Sequence, residues 1–260
     1  MAFEWRASMA EVVKGLLLLL LAQQSAAWIP FIGEESHKHL HPTTQQGEWD
    51  LLQLVSLNES QEGVSLSATP HRNASAFVIK EAYTNGRVGH DITHEIFSHL
   101  LSDVSCFFVY RQVNGTVAPL ITATMPGSSK PWLQINSDLR RRRLQLIYRL
   151  KGDRRTHRTT FPLSDKVGLT WTRLLVSISG TQVKVWVNCD GVVKRQLDGA
   201  VDLLLPQEGL LFFSHEQHFK NRLLGAVQTA KLFNFAMSSR VWRCNFDDQF
   251  GPDWKPPLIG

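Results

Sequence analysis

The chain has only three cysteines in its 260 residues, Cys106, Cys189 and Cys244. An odd number cannot all pair within one chain. No apolar stretch approaches the roughly 20 residues that a membrane span needs. The run from Leu16 to Ala22 is well short of that, and no later stretch could cross a bilayer. Catalytic signatures are missing too. The sequence contains no Gly-x-Ser-x-Gly and no His-Glu-x-x-His, which excludes the usual serine-hydrolase elbow and zinc-protease helix. Nor does it contain Glu-x-Asp-x-x-Glu, so a glycoside hydrolase built on paired strand-face carboxylates is disfavoured. These absences favour a protein that is not an enzyme.

Acidic residues are scarce where basic ones are dense. Between Arg140 and Arg158 lie nine Lys and Arg (Arg140, Arg141, Arg142, Arg143, Arg149, Lys151, Arg154, Arg155 and Arg158) and a single acid, Asp153. The segment therefore carries +8, while the whole chain carries +5. The rest of the chain is net −3 by difference. Few aromatics are interleaved with these basics, which argues against a single-stranded nucleic-acid platform.

The N-terminus reads as a secretory signal peptide over residues 1–27. Arg6 and Lys14 precede the apolar run, and Ser25-Ala26-Ala27 supplies small residues at the cleavage positions. Secretion predicts an extracellular location, in the extracellular space or matrix, where thiols oxidise. Three Asn-x-Ser/Thr sequons, at Asn58, Asn73 and Asn114, then become glycan acceptors. Residues 28–48 read as a flexible leader. Its His37, His39 and His41 alternate, but no Cys or carboxylate completes a metal site at the usual spacing.

The strongest pattern runs from Trp171 to Gly191. Leu174, Val176 and Ile178 alternate with polar residues, Gly180-Thr181 breaks the run, and Val183, Val185, Val187 and Cys189 alternate again. A period of two predicts a hairpin with one buried face, closed by Asp190-Gly191. Asp91 to Leu101 is the one good helical stretch. Ile92, Ile96, Phe97, Leu100 and Leu101 share a face, and Asp91 is placed to cap it. Short strands with turn signals fill most of the remainder: 76–79, 105–113, 117–125, 132–136, 144–150, 154–161, 209–214 and 224–235. Many short strands and one helix predict an antiparallel β-sandwich.

A Trp-led strand, a turn and alternating valines running into Asn188-Cys189-Asp190 resemble the laminin G-like domain at the N-terminus of thrombospondins, NEL-like proteins and several collagens. The opening Trp49-Asp50-Leu51-Leu52, the Ala76-Phe77 pair, the Gly225 strand and the terminal Cys244 are similar as well. The resemblance implies a jelly roll over residues 49–245, followed by an unstructured tail over 246–260. That family joins the two cysteines corresponding to Cys189 and Cys244, so a disulfide between them is implied, with Cys106 reduced in the core. An intermolecular disulfide is the competing role for Cys106. Some laminin G-like domains bind calcium. Asp190, Asp198 and Asp202 are candidates by proximity only, and surface aspartates in turns are the better reading; no other cofactor is implied.

The arginine segment is the candidate site. A strand from Leu144 to Leu150 and its return place like charges side by side, and a polyanion relieves their repulsion. The planar guanidinium forks suit sulfate and carboxylate oxygens. Thrombospondin N-terminal domains bind heparin, so the resemblance implies the same ligand class, heparan sulfate or another sulfated glycosaminoglycan. The alternative is a secreted protein-binding regulator whose arginines face an acidic growth factor or receptor. Two further patterns overlap the segment. Arg140 to Arg143 fits dibasic cleavage, although a cut there would split a sheet. Lys151-Gly152-Asp153 resembles an integrin tripeptide, although Gly-Asp between strands is first of all a turn.

Overall fold

The computed structural model describes residues 47–67, 75–188 and 191–237. The predicted signal peptide and tail, most of the predicted leader, Asn73, Cys189, Asp190 and Cys244 lie outside the described residues. Among the described residues, no helix is long and apolar enough to cross a membrane.

Among the described residues, thirteen strands form two antiparallel sheets. The larger sheet contains β1 (Glu48–Asp50), β2 (Val64–Ser67), β3 (Ala76–Ile79), β4 (Asp103–Gln112), β9 (Thr172–Ser179), β10 (Gln182–Val187), β11 (Val192–Gln196) and β13 (Gly225–Phe233). Its order is β11-β10-β9-β4-β13-β3-β2, with β1 paired to β13. The smaller sheet contains β5 (Val117–Thr124), β6 (Leu133–Asp138), β7 (Arg143–Arg149), β8 (Thr156–Pro162) and β12 (Leu210–Phe213), in the order β12-β5-β6-β7-β8. This is the antiparallel β-sandwich that the strand pattern predicts, of the jelly-roll type that the resemblance implies.

Alternation builds the core. Cys106, Phe108 and Tyr110 of β4 and Leu174, Val176 and Ile178 of β9 share one buried cluster with Leu133, Ile135, Leu144, Leu146 and Phe161 of the facing sheet. The Tyr110 hydroxyl donates to Ser137 Oγ across the layers at 3.0 Å. On β13, Gly225 has a φ of +138°, and a Cβ there would stand 2.0 Å from the Arg111 carbonyl oxygen. Only glycine permits that approach between central strands.

The structure departs from the sequence reading in several places. The hairpin of β9 and β10 is buried on both faces: Leu175, Ser177 and Trp186 are as hidden as the valines. Trp171 belongs to a second apolar cluster with Ala76, Val109 and Ala226, and period-two counting assigns that face to solvent. The main helix, α2 (His90–His99), has Gly89 as its N-cap with no side-chain cap bond, so Asp91 lies in its first turn instead. Leu101 falls beyond the helix and is 71% exposed, while Ile96, Phe97 and Leu100 are buried. Finally, a one-turn helix α1 (Leu51–Leu54) follows β1, capped by Asp50, whose carboxylate accepts from Leu52 N at 2.9 Å and Gln53 N at 3.3 Å.

Candidate functional site

Pairing within the smaller sheet dictates what its outer face carries. Leu144, Leu146 and Tyr148 of β7 turn inward, so Arg143, Gln145, Ile147 and Arg149 turn outward. The register then sets rows across the face. Thr122, Gln134, Ile147 and Arg158 stand side by side on β5, β6, β7 and β8. The next row is Pro119, Asn136, Gln145 and Thr160, and the one after it is Val117, Asp138, Arg143 and Pro162. Loops rise around this face and make a groove of about 1130 Å³.

Four of the nine candidate basic residues line the groove: Arg140, Arg141, Arg155 and Arg158. All four are exposed. Lys130, His218 and Lys220 join them from loops far apart in sequence. A second hollow of about 420 Å³ shares Arg140 and Lys220 with the groove and adds Arg222 together with one acid, Glu81. Two acids, Asp138 and Glu216, also line the groove. Asp138 is almost wholly buried and accepts from Gln145 Nε2 at 2.8 Å, Arg143 Nε at 3.4 Å and Arg141 N at 3.2 Å. Its charge is therefore committed inside the protein.

The other five basic residues are placed differently. Arg142 adopts a left-handed φ of 49° and donates to the carbonyls of Asp165 at 3.3 Å and Val167 at 3.0 Å. Arg143 pairs with Asp138. Arg149 stacks over the Trp132 ring at 4.5 Å, and the indole in turn donates to the Asp202 carbonyl at 2.8 Å. Lys151 and Arg154 are exposed in the turn before β8. The sequence reading begins that strand at Arg154. The structure begins it at Thr156, because Asp153 holds the preceding residues in a turn by accepting from Arg155 N at 2.8 Å. Consequently no arginine stands directly opposite another across β7 and β8; Arg158 faces Ile147 and Arg149 faces Thr156.

Asp153 also accepts from Arg155 Nε at 3.1 Å and from His157 Nε2 at 3.0 Å. Those bonds, Arg155's foremost, hold its carboxyl well below the usual carboxylate range. The Lys151-Gly152-Asp153 tripeptide thus presents a carboxylate already engaged on two sides.

The remaining candidates resolve individually. Cys106 is free and buried, and burial pushes its thiol up to about 12. Asn58 and Asn114 are both exposed. The Asn58 amide donates to the Ser56 carbonyl at 2.6 Å. Asn114-Gly115 makes the tight turn between β4 and β5, with Gly115 at a φ of +72°. Asp198 is exposed, and Asp202 accepts from Leu204 N at 3.2 Å. Among the described residues, no three His, Cys, Asp or Glu side chains come together as a metal cluster. Glu48 and Asp50 stand two residues apart, like the first half of the glycosidase carboxylate pattern, but Gln53 takes the place of the last Glu. Glu48 pairs with Lys231, and Asp50 is occupied in capping α1.

Sequence reasoning missed Gln134, Asn136, Gln145, Lys130 and Lys220. A signal exists for the first two: in β6 the buried Leu133, Ile135 and Ser137 alternate with Gln134, Asn136 and Asp138, a polar second face set in the middle of a sheet. The lysines arrive through loops, and no local pattern marks them.

No family profile matches the chain, and no curated protein matches it in sequence. Solved structures of similar strand arrangement include the CBM40 of the Ruminococcus gnavus IT-sialidase bound to α2,3-sialyllactose. It is 7% identical with a TM-score of 0.47, over 55% of this chain and 82% of that one. The leech intramolecular trans-sialidase complexed with 2,7-anhydro-Neu5Ac is 9% identical with a TM-score of 0.45, over 56% and 23% of the two chains. The binding domain of botulinum neurotoxin DC in complex with SialylT is 8% identical with a TM-score of 0.42, over 71% and 42%. The sandwich assignment rests on this chain's own strand pairing, and no residue correspondence is taken from these likenesses.

Proposed function

We propose that the chain is a secreted, non-catalytic binding module of the thrombospondin N-terminal-like, laminin G type, and that it holds heparan sulfate or a related sulfated glycosaminoglycan. The observation that carries the reading is the groove border. Arg140, Arg141, Arg155, Arg158, Lys130 and Lys220 line one groove, while Asp138 beneath them is already neutralised by Arg143. Exposed cations that outnumber the acids beside them repel one another, and a sulfated chain removes that cost through charge-assisted, bidentate bonds. Secretion, N-glycans on Asn58, Asn73 and Asn114, and a Cys189–Cys244 disulfide belong to the same proposal. An oxidising compartment supplies the bond, and the buried Cys106 is the thiol left over.

Heparin affinity chromatography tests the reading. Replacing Arg140, Arg141, Arg155 and Arg158 together with Ala removes four border charges and leaves Arg142, Arg143 and Arg149, with their internal contacts, intact. If sulfates behave as phosphates do, each lost contact lowers the slope of log K against log salt by about 0.7–0.9. The variant therefore elutes at clearly lower NaCl than wild type. A variant that elutes with the wild type places the heparin site elsewhere.

A further inference from the structure

The groove floor has a chemistry opposite to its border. Gln134, Asn136 and Gln145 sit on the outer face of the smaller sheet, yet they are only 4%, 5% and 7% exposed. Buried amides are normally satisfied by hydrogen bonds, and an exception calls for an explanation. Their nitrogens are partly used: Gln134 Nε2 donates to Thr122 Oγ1 at 3.2 Å, and Gln145 Nε2 donates to Asp138 at 2.8 Å. Asn136 Oδ1, by contrast, is buried with no partner. An unmet acceptor thus stands on the groove floor beside two amides whose nitrogens are already engaged.

Their spacing is set by the sheet. Gln134 pairs with Ile147, and Asn136 with Gln145. Adjacent strands lie ~4.8 Å apart and alternate residues ~6.8 Å apart, so these four side chains mark the corners of a patch of about 5 by 7 Å. That is the footprint of one pyranose ring, with an apolar corner at Ile147 for the ring's C–H face.

We propose that this patch is a subsite for the sugar ring itself, and that it takes ring hydroxyls as donors to the amide oxygens of Gln134, Asn136 and Gln145. Sulfate carries acceptors only and has nothing to offer these oxygens. It stays at the arginine border, while hydroxyls fill the floor. The χ2 torsion of Asn is broad, so the Asn136 amide can turn to meet a donor. The inference rests on the reading of the groove as the place where the glycan chain lies. It adds that the protein distinguishes a sulfated saccharide from a sulfated polymer without sugar.

Titration calorimetry with two ligands of matched sulfate content, a heparin oligosaccharide and poly(vinyl sulfate), tests it. Wild type is expected to bind the heparin oligosaccharide at least tenfold tighter per site. Asn136→Ala lowers heparin affinity about fivefold, the worth of one neutral hydrogen bond. It leaves poly(vinyl sulfate) affinity and both salt slopes unchanged. Asn136→Leu, which fills the floor, lowers heparin affinity further, and Gln134→Met at the next corner acts in the same direction. Equal wild-type affinity for the two polymers, or a full preference retained in Asn136→Ala and Gln134→Met, overturns the ring subsite while the polyanion reading stands. Failure of wild type to bind either polymer overturns both.

Discussion

Cys106 shows what a single residue contributes. It lies mid-strand between Ser105 and Phe107, paired in register with Val176 and Leu232, and is sealed from water. Burial opposes the thiolate and raises its pKa from the ordinary 9.0 to about 12. Tyr110, beneath the same core, is raised from 10.0 to about 12 by burial, partly opposed by its bond to Ser137. Both groups titrate later in the folded state than in the unfolded chain. Stability linked to them is intact below about pH 9 and is lost as pH rises towards about 12. The slope is at most about 1.4 kcal/mol per pH unit for each group. Urea midpoints measured across that range should fall, and Cys106→Val should make the fall shallower. A native Cys106 should also resist alkylation until the chain unfolds; rapid labelling of folded protein would falsify its place in the core. The apolar neighbours of Cys106 make this role legible in the sequence. Arg142 and Arg149 are illegible there by comparison. Their partners are carbonyls near residue 165 and the ring of Trp132, and only the fold brings these close.

At the scale of elements, alternation reveals a strand where apolar and polar side chains take turns along it. It marks β9 and β10, where polar residues alternate with the inner valines, but it misses β11, an edge strand with almost every side chain exposed. It also assigns Leu175 and Trp186 to a solvent face that is buried. Charge counting finds the arginine segment but not its direction, because β7, β8 and their turn separate the residues onto different sides. The turn itself makes a prediction of opposite sign to the arginine deletions. Asp153 holds Arg155 and His157 and places a negative charge beside the groove border. Asp153→Asn removes that charge and frees the Arg155 guanidinium, whose side chain is already 84% exposed. The variant should elute from heparin at higher NaCl than wild type, with a salt slope steeper by about 0.7–0.9. An unchanged or lower elution point would place Arg155 outside the bound chain's path. The same change leaves the Lys151-Gly152-Asp153 tripeptide without its carboxylate, so a gain in heparin binding cannot be attributed to an integrin-like contact.

Over the whole molecule, charge is strongly divided: +8 within residues 140–158 and −3 elsewhere by difference from the total of +5. Such a distribution orients a polyanion before contact and makes capture fast at low salt. It also makes the neighbourhood of the groove sensitive to anything bulky attached there. Asn114 is exposed in the turn between β4 and β5, and the next residue, Gly115, accepts the Arg140 Nε bond at 3.1 Å. An N-glycan on Asn114 would therefore stand beside one of the four border arginines. Asn58 lies in the turn between α1 and β2, on chain that does not line the groove. Two sequons thus carry different expectations. In protein secreted from mammalian cells, Asn114→Gln and Asn58→Gln should each lose the mass of one glycan. Only Asn114→Gln should then elute from heparin at higher salt, because only that glycan crowds Arg140. Protein made without glycosylation should show no difference among wild type and the two variants, which separates the effect of the glycan from that of the asparagine. A shift for Asn58→Gln as large as for Asn114→Gln would mean that the sulfated chain runs well outside the groove. No mass loss for either would remove these two sites from the proposal.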